Sequence, residues 1–148
     1  MNKEELNKII ESEGDKKEFY YRGFLCLILR NGSLGNLCGY VGIPKIMTSL
    51  YEVEYDNIRI PCHGGLTFSG DMKEYPNTWF IGFDCAHSGD LCYYMLDYYN
   101  FSNNDIYRDM SYVESELREM VDYIYHEYPD AKSISREDYL SKIIDTDI

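Results

Sequence analysis

The run Thr78-Trp79-Phe80-Ile81-Gly82-Phe83 alternates the large apolar residues Trp79, Ile81 and Phe83 with Thr78, Phe80 and Gly82. A side-chain period of two sends neighbours to opposite faces, so this is a strand with one apolar face and a second that is only partly apolar. Upstream, Leu66-Thr67-Phe68-Ser69 lies between Gly64-Gly65 and Gly70 and alternates like a half-buried strand, with a loop over 71–77 before the next one. Farther back, the apolar run Phe24-Leu25-Cys26-Leu27-Ile28-Leu29 meets Asn31-Gly32, a strong turn signal. The reading over 19–43 is therefore strand, turn, strand. The second strand, Asn36 to Ile43, carries Gly39 and Gly42, which point to a close backbone approach or a bulge. Pro44 ends it, a polar loop covers Thr48 to Asn57, and Ile58 to Pro61 resumes an extended path.

Helical spacing flanks these strands. Leu6, Ile9 and Ile10 predict a short amphipathic helix over Glu4–Ser12, closed by glycine and charge between Glu13 and Lys17. Ser111-x-x-Glu114 reads as a capping box, and Val113, Leu117, Met120, Val121, Ile124 and Tyr128 recur at helical spacing up to Pro129. A last short helix is expected near Ser135, with Asp138 three residues on and Leu140, Ile143 and Ile144 turned inward. Asp90 to Phe101 is aromatic and reads as a long loop. The order gives one α+β domain over 1–148, with helices packed on one face of a mainly antiparallel sheet and a long C-terminal helix after Ser111.

At 148 residues the chain is large enough for an ordinary core. A formal charge of -12 argues against direct nucleic-acid binding, because phosphates are held by lysine and arginine. No apolar run reaches the roughly 18 residues of a membrane span, and the first ten residues are those of a charged helix, so a cytoplasmic protein without membrane contact is expected. The five cysteines are odd in number and lack C-x-x-C spacing, which fits reduced thiols better than disulfides or a zinc knuckle. Sixteen tyrosines are a composition that interfaces favour and fit a homo-oligomer.

The chemistry concentrates between His63 and Asp90. His63 with Gly64 and Gly65 permits a sharp turn that exposes amide N–H groups, and Thr67 and Ser69 place hydroxyls on one side of the following strand. Such a loop cradles a phosphate or carboxylate, although neither a Walker lysine nor G-x-G-x-x-G is present; the other reading is a glycine-rich strand junction with a satisfied histidine. Asp84-x-x-His87-x-x-Asp90 follows directly after a hydrophobic strand. With His63 alongside, His63, Asp84, His87 and Asp90 make a donor set suited to zinc, manganese or iron. A catalytic alternative pairs Cys85 with His63 or His87, oriented by Asp84. The same aspartates around Ser88-Gly89 also make ordinary turns braced by one histidine. Arg108, ahead of the capped helix, offers its fork to an anion or to a neighbouring acid, and His126 answers a helix dipole.

Gly39-Tyr40-Val41-Gly42-Ile43-Pro44, His63-Gly64-Gly65-Leu66-Thr67-Phe68-Ser69-Gly70, Trp79-Phe80-Ile81-Gly82-Phe83-Asp84-Cys85-Ala86-His87-Ser88-Gly89-Asp90 and Tyr107-Arg108-Asp109 with Tyr112-Val113 resemble a family of small bacteriophage and mobile-element proteins. The resemblance spans about residues 39–124. The family pattern continues past its first strand with histidine-proline-leucine-tyrosine, whereas this chain has Met47-Thr48-Ser49-Leu50-Tyr51, which weakens any site that needs a third histidine.

A phage origin implies an accessory protein that interferes with a host system. The leading expectation is a counter-defence protein that sequesters a nucleotide-derived immune signal, held by His63, Gly64, Gly65, Thr67, Ser69, Trp79, Asp84, His87, Asp90 and Arg108. Binding is favoured over turnover, and no cofactor is called for. One alternative is an enzyme that cuts such a signal by acid/base or metal-assisted hydrolysis. Another is an acidic inhibitor that mimics nucleic acid and blocks a host defence protein.

Overall fold

The computed structural model describes residues 3–96 and 104–139. Its main elements are α1 (Lys3–Glu13), β1 (Lys16–Tyr21), β2 (Phe24–Arg30), β3 (Leu37–Pro44), β4 (Phe68–Asp71), β5 (Thr78–Asp84) and α2 (Met110–Glu127). The strands form one sheet in the order β1-β2-β3-β5-β4, with every neighbouring pair antiparallel. The α+β architecture is that expected from the pattern of the chain, with the long helix late in the sequence.

The interior strand β5 is buried from Thr78 to Phe83, on both faces rather than one. Register explains the two covers. Trp79, Ile81 and Phe83 stand opposite Ile43, Val41 and Gly39 of β3. A Cβ at Gly39 would fall 2.9 Å from the Phe83 ring and 3.0 Å from Val113 of α2, so this glycine lets the helix and the phenylalanine close over the sheet. On the other face Phe80 meets the edges of the Tyr40 and Tyr75 rings. That side is also covered by Tyr139, which packs edge-on against Tyr20 and donates its hydroxyl to the Gly42 carbonyl at 2.7 Å.

The buried stripe of α2 is Met110, Val113, Leu117, Met120, Val121 and Ile124. Its start differs from the capping box expected at Ser111. The cap is Asp109, whose carboxylate accepts the Tyr112 N–H at 2.8 Å, while Glu114 pairs with Lys17 and Arg118. Asp109 offers the same capping chemistry two residues earlier, and starting there puts Met110 into the core.

Other boundaries also move. Residues 19–30 hold a turn at Arg22-Gly23, with φ of 50° and 84°, which joins β1 and β2 in a two-residue hairpin with Tyr21 opposite Phe24. Asn31 does not form a tight hairpin; its side chain accepts the N–H groups of Ser33 and Leu34 inside a longer loop. The strand expected at Leu66–Ser69 runs from Phe68 to Asp71. Ile58 has the extended backbone expected there, and with Ile60 it is a core residue of an unpaired loop. Ser135 does cap a final helical turn through Asp138, whereas Leu140, Ile143, Ile144 and the part of the aromatic loop over 97–101 lie outside the described residues. Among the described residues no helix is long and apolar enough to cross a membrane.

One buried ion pair joins the pieces. Arg30, its side chain 3 % exposed, donates to Glu13, Asp15, the Gly14 and Gly35 carbonyls and the Tyr107 hydroxyl. Glu13 in turn accepts the Tyr107 hydroxyl and the Met110 N–H, both at 2.6 Å, so the end of α1 helps cap α2. Arg30→Met leaves the Glu13 carboxylate without its cation and the Gly14 and Gly35 carbonyls without their donor, and should cost about 3–5 kcal/mol in a urea titration. Lys17→Met, at the exposed bridge to Glu114, should cost less than about 1 kcal/mol in the same assay.

Candidate functional site

Beyond β5 the chain folds back on itself. Asp84 accepts the Ala86 N–H at 3.0 Å, and Asp90 accepts the His87 N–H at 3.0 Å while its own N–H donates to the His87 carbonyl. This turn aims the Asp90 carboxylate inward, where its side chain is 1 % exposed. Two more donors meet it there. His63 Nε2 lies 2.8 and 3.0 Å from the two carboxylate oxygens, and Arg108 Nε donates to Oδ1 at 3.0 Å.

Because a carboxylate only accepts, His63 Nε2 carries a proton. On the other side of the ring, Nδ1 lies 2.7 Å from the Tyr112 hydroxyl, which can donate to it or accept from it, and the Arg108 guanidinium lies 4.9 Å from the centre of the Tyr112 ring. Burial alone would lift the Asp90 pKa, but the bonds from His63, the His87 N–H and Arg108 outweigh it and hold the carboxyl below its ordinary value. The carboxyl of Glu116, one turn along α2 from Tyr112, is raised, mainly by burial and then by Glu119.

His87 closes the corner. A Cβ at Gly64, where φ is 68°, would fall 2.4 Å from the His87 ring, so both the backbone angle and the ring demand glycine. The ring lies edge-on to His63, with centres 5.7 Å apart. Its Nδ1 is buried and makes no hydrogen bond among the described residues. It sits 3.5 Å from Asp84 and 3.7 Å from Asp90, within ion-pair range of both.

Asp84 also borders a cavity of about 370 Å³ at this end of β3 and β5, on the sheet face away from α2. Tyr40 and Phe68 form aromatic walls, their rings edge-on with centres 5.2 Å apart. Asn31, Asn36, Thr67 and Asp84 supply polar groups. Asn36 is 1 % exposed and its Oδ1 lacks a hydrogen-bond partner among the described residues. Burial, with Cys38 next, raises the Tyr40 hydroxyl pKa and keeps it a neutral donor.

The structure thus gathers His63, Gly64, His87, Asp90 and Arg108 at one corner. Thr67 and Asp84 stand at the cavity rim, joined by a 3.0 Å hydrogen bond. Gly65 turns through open space beside them. Two expected residues go elsewhere. Ser69 bonds Glu54 and the Tyr55 N–H, and Trp79 is buried at the far end of β5, donating to the Val53 carbonyl at 2.9 Å. Cys85 is 2 % exposed and burial pushes its thiol well up, so it offers no thiolate nucleophile. Spacing did not single out Tyr112, Asn31, Asn36 or Tyr40 as site residues; a buried asparagine at the head of a strand is the one signal that marks the cavity.

Comparison of the chain with protein-family models, curated proteins and solved structures finds no match.

Asp90→Asn tests the corner. A carboxyl with a lowered folded pKa adds stability above its unfolded value near 3.9 and loses it as pH falls through the folded value. The variant should therefore be about 3–5 kcal/mol less stable at pH 7. Its stability should also fall less steeply than wild type below about pH 4, as read from urea melts across that range.

Proposed function

We propose that the protein binds a nucleotide-like small molecule at the open end of β3 and β5 and withholds it from its effector. The supporting observation is the 370 Å³ cavity, whose size lies in the range of about 300–1,000 Å³ typical of small-molecule sites. Its walls suit a planar heterocycle. Tyr40 and Phe68 offer ring surface, the Asp84 carboxylate accepts N–H donors of the kind a nucleobase carries, and Tyr40 offers an O–H. The role given to the bound molecule, an immune signal kept from a host defence protein, draws on the resemblance to phage proteins.

A hydrolytic reading draws on His63, His87 and Asp90 beside the same rim. The fate of the ligand separates the two. Native mass spectrometry of the protein with purine and pyrimidine mononucleotides and cyclic dinucleotides should show one bound molecule, released with unchanged mass after denaturation. Asp84→Ala and Tyr40→Ala should each weaken binding about tenfold, equivalent to about 1.4 kcal/mol. A cleaved product overturns sequestration; unchanged affinity in both variants overturns the cavity as the site.

A further inference from the structure

We infer that His63, His87 and Asp90 form a binding site for one divalent transition-metal ion of the zinc class, with its open side toward Asp84. The inference stands on the corner itself and does not depend on the identity of the cavity's ligand.

The three candidate donor atoms lie within 4.8 Å of one another. Two imidazoles and a carboxylate are the mixed nitrogen and oxygen set that zinc, cobalt and iron accept, and three protein donors leave a position for water or ligand. Tetrahedral bonds of about 2.0–2.2 Å place neighbouring donors roughly 3.3–3.6 Å apart. Here Asp90 Oδ2 is 2.8 Å from His63 Nε2 and 3.7 Å from His87 Nδ1, so the pairs straddle that spacing.

A purely structural cluster accounts for His63, Asp90 and Arg108, each of which has hydrogen-bond partners. It does not account for His87. That ring is set against the bare Cα of Gly64, and its buried Nδ1 faces two carboxylates without a hydrogen bond to either. A cation between Nδ1 and Asp90 satisfies all three groups.

The surroundings suit ligation. Arg108 occupies Asp90 Oδ1 and leaves Oδ2 toward the histidines. With Nε2 on a metal, His63 would carry its proton on Nδ1, where the Tyr112 oxygen can accept it; an outer hydrogen bond of this kind fixes the tautomer of a metal-bound histidine. Asp84, 3.5 Å from His87 Nδ1 and also on the cavity wall, puts the open side of the ion next to the cavity.

The full chain, stripped with a chelator and dialysed, is titrated with zinc by calorimetry and with cobalt by visible absorption. The expected result is one equivalent bound and a cobalt spectrum of low coordination number. His87→Ala, which removes a part-exposed side chain, should weaken zinc at least about 100-fold, and Tyr112→Phe about tenfold. His126→Ala, at the remaining histidine of the chain, should leave affinity unchanged and controls for surface binding. Circular dichroism of each metal-free variant confirms that it is folded. Absence of saturable binding, full affinity in folded His87→Ala, or loss in His126→Ala overturns the assignment.

Discussion

A carboxylate taken out of water is tolerated only when its oxygens are fully hydrogen-bonded, and Asp90 is the point where this chain meets that demand. Its partners come from three places: the turn after β5, the loop holding His63, and Arg108 just before α2. Satisfying one buried charge therefore fixes where the loop before β4 and the start of α2 lie relative to the end of β5. The two histidines stand together as a consequence, and the Gly64 backbone follows because the His87 ring fills the space a side chain would need.

A second buried charge pair holds the opposite flank of α2. Arg30 and Glu13 tie the end of β2 to the end of α1, and Glu13 reaches the first N–H of α2. The helix is thus pinned at its N-terminus by carboxylates from Glu13 and Asp109, the sign that its dipole favours. The same end carries Tyr112 toward His63. The sheet end and a pinned helix start therefore frame the corner and the neighbouring cavity, an arrangement that would hold the proposed binding groups in place before a ligand arrives.

Periodicity made β5 and the α2 stripe legible, because burial of a face repeats along the chain and needs no knowledge of partners. The Arg22-Gly23 turn was not legible, since arginine in a left-handed conformation leaves no residue signal such as asparagine would. Asp109 was passed over as the cap because Ser111 fits the same rule two residues later, and only the burial of Met110 decides between them. His63, His87 and Asp90 were legible as chemistry by type and clustering. Trp79 was grouped with them by closeness in sequence, yet five strand residues put it about 17 Å along β5 from Asp84. The cavity draws Asn31, Asn36 and Tyr40 from a distant part of the chain, and only the pairing of β3 with β5 brings them to Asp84.

The proposal for this protein places a ligand site at the end of β3 and β5, adjoining the Asp90 corner. Nuclear magnetic resonance of the labelled protein during titration with the nucleotide that binds best tests this residue by residue. A ligand seated there should shift the Asn36 side-chain amide, the Thr67 and Ala86 backbone amides and the His87 ring. Shifts confined to the outer face of α2 or to the β1 edge would contradict it.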